Sequence, residues 1–322
     1  MAGHERIPVI AVTGPTACGK TQVAVELCRR IGGEVVCADS MQVYGSLRIG
    51  TTVPDEGQMG HVRHHLYGCI PPESAYSVAQ YQNDAQAAAR EIHGRGQIPV
   101  LCGGTGLYIS SFMRETDYGN TPVDEALRGR LWARLRDEGP ESLLDEIAAK
   151  DAGKSAIHPS NHKRIVRALE KLGAGEGRSS EIDDQESHSE KDFLVYPAII
   201  ICTDRKKLYN RINGRVDTMM RHGLLDEARW VYDNRDRFAT VCQAIGYKEF
   251  FGYFEGVASL EDCVEGLKKA SRHYAKRQIT WFRNTIGARE YPVDDQTAEQ
   301  VAGSIERDWK EFLSQRGGTR GV

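Results

Sequence analysis

The chain has 322 residues, 40% hydrophobic and 27% charged, with a formal net charge of −3, so it is long enough for two domains or for one domain carrying a large insertion. No apolar run reaches the length of a membrane span, and the opening MAGHERIPVIAV lacks the pattern of a signal peptide. The eight cysteines stand singly with no C-x-x-C, so neither a zinc ribbon nor a disulfide framework is suggested, and the expectation is a reduced, cytoplasmic protein without a membrane partner.

Ile7 to Thr13 is a short apolar run of strand type that leads directly into a Gly-rich loop, VTGPTACGKTQV. Beyond Lys20, Val23, Leu27 and Ile31 recur every four residues, an amphipathic helix stopped by Gly32-Gly33. EVVCADS reads as a second buried strand ending at Asp39, and the region from His61 to Ser77 reads as a loop. Ser77 and Gln80 form a capping box for a helix whose apolar side runs through Val78, Tyr81, Ala85 and Ile92. IPVLCGG is a third strand, and TGLYISSFM opens another helix. Strand and helix alternating in this way predict a parallel sheet with right-handed crossovers.

From about Asp117 the strand pattern stops, and Leu127/Leu131/Leu135, Leu143/Leu144/Ile147 and Ile165/Leu169 mark three helices. A polar, Gly/Ser-rich stretch over 173–192 reads as a surface linker, after which YPAIIICTD resumes strand character at Tyr196 and the remainder is mostly helical. The predicted plan is an α/β, P-loop NTPase-like parallel sheet core over 1–117, a helical insertion over 118–193, and completion of the core with a basic helical region over 194–290. A terminal helix over 291–322 follows.

Charge is unevenly placed. From Leu267 to Arg289 there are seven Lys or Arg and no acid, and further basic runs begin at Asp204 (DRKKLYNRINGR) and Lys163 (KRIVR). Three such runs in a slightly acidic chain point to a polyanion-binding surface.

The loop Gly14-Pro15-Thr16-Ala17-Cys18-Gly19-Lys20-Thr21 matches all fixed positions of G-x-x-x-x-G-K-[ST], the pattern of nucleotide- and ATP-binding loops. Placed between a strand and a helix, it lets successive backbone N–H groups curl around phosphate oxygens, with Lys20 as a point charge and the Thr21 hydroxyl as a ligand for Mg²⁺. A nucleoside triphosphatase would add a strand ending in Asp to hold the metal, yet the third strand ends CGGTGLY. The strand that ends in an acid is the second, so Asp39 reads either as a general base or acceptor-positioning residue or as a strand-end Asp capping the following turn, DSMQVY. His61, His64 and His65 gather no further ligands and read as structural.

In order along the chain stand GPTACGKT, ADSMQVY, IGT, HHL, GGTGLYI, HPSNHKRIVRALE, QAIGYKE and YAKRQITWFR. This ordered set resembles the tRNA dimethylallyltransferases (tRNA isopentenyltransferases) of bacterial type, from near the N-terminus to about Arg283. The resemblance implies that the P-loop grips the diphosphate of dimethylallyl diphosphate rather than a nucleotide. It also implies that the prenyl group moves to the exocyclic amine of the adenine 3′ of a tRNA anticodon. By the same resemblance Asp39 is the general base, Thr16 and Thr21 lie near diphosphate and metal, and Thr105 lies near the reacting centre. Ser40, Met41 and Gln42 contact the target nucleotide with Asp39, and Arg128 lines the entrance. Lys163, Arg164, Ile165, Val166 and Arg167 form the stretch that touches tRNA, with the insertion clamping the anticodon stem-loop. Arg211 and Arg215, four apart on one helix, reach the diphosphate or an RNA phosphate. In the last basic run Arg272, Lys276 and Arg283 share a face, with Tyr274 and Trp281 available for packing or stacking, Trp281 being read as core. Ser271-Arg272 departs from the more frequent Thr-Arg. A monomer is expected.

Three other readings stay open at this level. An isopentenyltransferase acting on free adenine nucleotides would not need the basic helical half. A P-loop small-molecule kinase would need ATP and a metal-binding acid. An RNA-binding protein without catalysis would not need Lys20, Thr21, Asp39 and Thr105 together.

Overall fold

A computed structural model of the chain describes residues 6–114, 124–150, 157–173 and 192–316. In chain order the elements are β1 (Ile7–Thr13), α1 (Lys20–Ile31), β2 (Gly33–Cys37), α2 (Glu56–Met59), β3 (His64–His65), α3 (Val78–Gly94), β4 (Ile98–Gly103) and α4 (Gly106–Arg114). There follow α5 (Glu125–Lys150), α6 (His162–Gly173), β5 (Phe193–Ile201), α7 (Arg205–Arg221), α8 (Leu224–Asp233), α9 (Phe251–Phe254), α10 (Leu260–Thr285), β6 (Arg289–Pro292) and α11 (Ala298–Arg316).

The strands form one six-stranded sheet in the order β3-β2-β4-β1-β5-β6, and every described pairing is parallel. The four strands read from the sequence are its centre. Two were not anticipated: β3 lies in the 61–77 region read as loop, and β6 in the region read as helical. Both are short edge strands, too brief for a period-2 pattern to show.

Helices cover both faces, and strand residues alternate between two cores. Val9, Ala11, Val36 and Leu101 face Ile109 and Phe112 of α4, whereas Ile10, Val12, Val35 and Val100 face Val23 and Leu27 of α1. The terminal helix α11 joins the second core through Val301, Ala302, Ile305 and Trp309, and Arg30 of α1 pairs with Glu306 at 2.8 Å. The Ser77 capping box is formed in both directions.

The chain divides into two compact units, residues 1–116 with 191–322, and residues 117–190. The second has its own core, in which Leu131, Leu135, Leu143 and Ile147 of α5 meet Ile165, Val166 and Leu169 of α6. α5 is broken at Gly139, whose φ of 82° departs from helical geometry just before Pro140, so the two leucine patterns belong to two helical segments as read. Of the predicted linker, residues 174–191 lie outside the described residues.

Candidate active site

The sheet register gathers three loops at one edge. Thr13 pairs with Gly103 and Cys37 pairs with Cys102, so the P-loop, the Ala38-Asp39 turn and the Gly103–Gly106 loop all leave the carboxyl ends of adjacent strands.

The P-loop is shaped by backbone needs at its two ends. Gly14 has φ 143° and a Cβ there would lie 2.2 Å from the Ile200 carbonyl oxygen, so only glycine fits. Gly19, at φ 88°, is the N-cap of α1 and offers no side chain to the first-turn N–H groups, which leaves them to an anion. Lys20 Nζ sits over the loop and donates to the Pro15 carbonyl at 2.8 Å. Thr21 follows in the first turn, half-buried. The Cys18 thiol donates to the same Pro15 carbonyl and burial raises its pKa, which suits packing rather than nucleophilic chemistry.

Across the sheet edge, Asp39 Oδ1 accepts the Met41 N–H at 3.0 Å. Thr105 Oγ1 accepts the Ser40 N–H at 2.9 Å and donates to Ser40 Oγ at 3.2 Å, tying the two loops together. Their closeness is set by glycines. A Cβ on Gly103 would lie 2.1 Å from the Ala38 backbone, and one on Gly104 would come within 2.3 Å of Gln278 Nε2. Gln42 does not turn to the same space: its amide donates to the Thr51 and Thr52 carbonyls at 3.0 Å each, bracing the IGT turn.

From the other side, α7 and α10 close on these loops. Arg215 Nη1 approaches Thr16 Oγ1 at 3.5 Å. Burial lowers the pKa of its guanidinium, and the Asp39 charge opposes that, so a cation faces both the P-loop and the carboxylate. Arg211, one turn earlier, is exposed. Tyr274 of α10 interacts with the Thr105 and Gln278 side chains; burial, then the Asp39 charge, pushes its hydroxyl pKa well up, so it stays protonated. Trp281 packs half-buried over Gly106, where a Cβ would meet its ring at 2.3 Å, as expected of a core side chain.

Several predicted contact residues prove to be engaged elsewhere. Ile165 and Val166 were placed in the tRNA-touching stretch, yet they are 0% and 2% exposed, turned into the core of the insertion by the helical period. Only their neighbours face outward, Lys163 fully and Arg164 and Arg167 in part. Arg128 was expected at the site entrance, but it grips the buried Glu170 at 2.6 Å while Arg167 holds the same carboxylate at 3.0 Å. Arg272 bonds Asn213 of α7 at 2.7 Å, Arg283 bonds Glu290 at 2.6 Å, and Lys276 is exposed. His65 pairs with Glu34 at 2.6 Å, and among the described residues no group of three or more His, Cys, Asp or Glu is placed to hold a metal ion.

Sequence reasoning missed two residues that organise the site. Gln278 is 6% exposed on α10 and bridges the P-loop to the Gly104 carbonyl. Its signal was a polar residue in a stripe otherwise formed by Leu267, Ala275 and Phe282. Glu227 of α8 accepts the N–H groups of Arg48, Ile49 and Gly50, and nothing in LLDEARW distinguishes it from an ordinary helix charge.

The IPP transferase family model matches residues 42–285, and the isopentenyl transferase model matches residues 7–69. The tRNA dimethylallyltransferase of Halalkalibacterium halodurans is 40% identical over 290 residues, 89% of this chain and 91% of its own length. That of Bacillus subtilis is 39% identical, covering 93% and 98%. Among solved structures, the full-length tRNA isopentenylpyrophosphate transferase of Bacillus halodurans superposes with a TM-score of 0.69 at 37% identity, over 97% of this chain and 99% of its own. A eukaryotic dimethylallyltransferase acting on tRNA reaches a TM-score of 0.80 at 27% identity, over 98% of this chain and 81% of its own. With its P-loop NTPase-like sheet and this breadth of similarity, the chain belongs to the IPP transferase family and is a prenyltransferase.

Proposed function

We propose that the protein transfers the dimethylallyl group of dimethylallyl diphosphate to the exocyclic N6 amine of the adenine 3′ of the anticodon in tRNA, releasing diphosphate. The observation that carries this is the meeting of a phosphate-binding loop and a carboxylate on one sheet edge, Thr16 and Asp39 both facing Arg215. The names of the relatives, tRNA dimethylallyltransferases at about 40% identity, supply the acceptor.

In this reading the diphosphate lies in the P-loop. Lys20, Arg215 and the uncapped N–H groups of α1 stabilise the charge that builds on it as the allylic C–O bond breaks, more in the transition state than before it. The adenine amine attacks the freed carbon, and Asp39 takes the N–H proton as the C–N bond forms. Thr105 and Ser40 hold the acceptor side of the loop pair in place. A base stacked in an anticodon loop has to swing out to reach this carboxylate. Arg211, Lys276 and the insertion's exposed Lys163 supply phosphate contacts that set register.

The residues present suit Mg²⁺, which takes one or two protein oxygens together with phosphate and water. Thr21, a hydroxyl beside Lys20 at the mouth of the loop, would hold it. When bound, the ion adds positive charge to the diphosphate oxygens.

The test is a transfer assay with labelled dimethylallyl diphosphate and Mg²⁺, without ATP, offered unmodified tRNA, AMP or no acceptor. Label is expected in tRNA alone. Label in AMP instead would move the enzyme to free nucleotides, and no transfer to either would overturn the reading. Asp39→Ala is expected to lower turnover by about two to four orders of magnitude while tRNA binding persists.

A further inference from the structure

We infer that Gln278 is a positioning residue that pins the diphosphate loop and the acceptor loop in register, so that one side chain sets the alignment of the two reactants. The inference rests on the functional reading just given. Its amide is used at both ends: Oε1 accepts the Thr16 N–H at 2.9 Å, and Nε2 donates to the Gly104 carbonyl at 2.8 Å. Those partners lie in loops that follow different strands, β1 and β4, and Gln278 comes from neither but from α10.

The surroundings are cut to this side chain. Gly104 leaves no room for a Cβ because Gln278 Nε2 stands there, and the amide is nearly fully buried, so no water competes for its bonds. Tyr274, one turn before, interacts with Thr105, and Trp281, one turn after, lies on Gly106. Residues 274, 278 and 281 share a helix face, and along it α10 grips the Gly104–Gly106 loop at successive points. Of these three, Gln278 is the one that hydrogen-bonds on to the P-loop. A glutamine suits this place because its single planar amide offers an acceptor and a donor on a long uncharged stem. A glutamate could keep the Thr16 bond but could not donate to the carbonyl. Because α10 also carries Lys276 on its exposed side, RNA seated there would be joined through Gln278 to the loop that holds the leaving group.

Two full-length variants test this, Gln278→Met, which keeps volume and removes both bonds, and Gln278→Glu, which keeps the acceptor alone. Amide hydrogen exchange of residues 14–20 and 103–106 is read beside steady-state transfer. For Gln278→Met both segments are expected to exchange at least about tenfold faster while the strands keep their protection. Turnover should fall by about 10- to 100-fold, with the KM for tRNA unchanged, since misplacement of about 1 Å is enough for such a loss. For Gln278→Glu only the 103–106 segment should loosen, and this variant decides the matter if the methionine form does not fold. Unchanged exchange in either segment that should loosen, or loosened loops with wild-type turnover, would overturn the proposal. If the wild-type enzyme itself transfers no prenyl group to tRNA, the functional reading falls, whereas the pin is still judged by exchange.

Discussion

Tyr247 donates its hydroxyl to Glu227 across 2.8 Å, and the same Oε1 accepts the Gly50 N–H at 2.7 Å. The other oxygen takes the N–H groups of Arg48 and Ile49, so one carboxylate closes the turn beneath the loop that carries Asp39. A Cβ on Gly50 would meet the Tyr247 ring at 2.6 Å, which explains why IGT and QAIGYKE belong together although far apart in sequence. Glu227→Ala leaves three N–H groups without their acceptor and is expected to cost about 3 kcal/mol of folding stability, measured by urea unfolding. A loss under about 1 kcal/mol would mean that water replaces the carboxylate.

Gly103→Ala forces a Cβ to within 2.1 Å of the Ala38 backbone, which cannot yield without parting β2 from β4. The expected cost is at least about 2 kcal/mol, with turnover falling alongside because the Asp39 turn moves. Gly94→Ala is the control: nothing lies within 4 Å of its Cβ, it ends α3, and stability should rise by about 0.5 kcal/mol.

Lys276 and Arg272 should separate by salt dependence. Lys276 is exposed and free to meet a phosphate, so Lys276→Ala is expected to weaken tRNA binding and reduce the log–log salt slope by about one. Arg272 is held by Asn213, so Arg272→Ala should lower the melting temperature as well as affinity. An unchanged slope for Lys276→Ala would take that side chain out of the RNA contact.

Glu170 makes the insertion acid-sensitive. Burial raises its pKa, but the hydrogen bonds and charges of Arg128 and Arg167 outweigh burial, and the net shift is downward. A carboxylate depressed in the folded state contributes stability above its unfolded value, here the ordinary 4.5, and that contribution is lost as pH falls through the lower folded value. Glu170→Gln is therefore expected to destabilise the insertion by about 2 kcal/mol at neutral pH, the gap to wild type closing in acid. Trp132 packs against this core, and its fluorescence follows the transition. A gap independent of pH would mean that the two guanidiniums do not hold the carboxylate ionised.

Local signals in the sequence carried much of this architecture. The P-loop, the Ser77 cap and the four central strands each announce themselves within a dozen residues, through glycine placement, a capping pair or an apolar run. Gln278 and Glu227 do not, because their partners lie 262 and about 178 residues away and no spacing rule connects them. Ile165 and Val166 show the opposite case. Membership in a basic motif suggested a surface role, while their helical period already pointed inward, and burial followed the period. Arg128 met a carboxylate 42 residues on, a pairing that becomes visible only once α5 and α6 are packed.

The interleaving of β4 between β1 and β2 has a consequence for what such an enzyme can become. The P-loop and the Asp39 turn hang from rails two strand spacings apart, about 10 Å, a gauge written in backbone hydrogen bonds and not in side chains. Point substitutions can re-line the two berths but cannot shift one rail against the other. On the function proposed above, a new acceptor would be fitted by rebuilding the turns after β2 and β4, with the gauge itself left as the sheet made it.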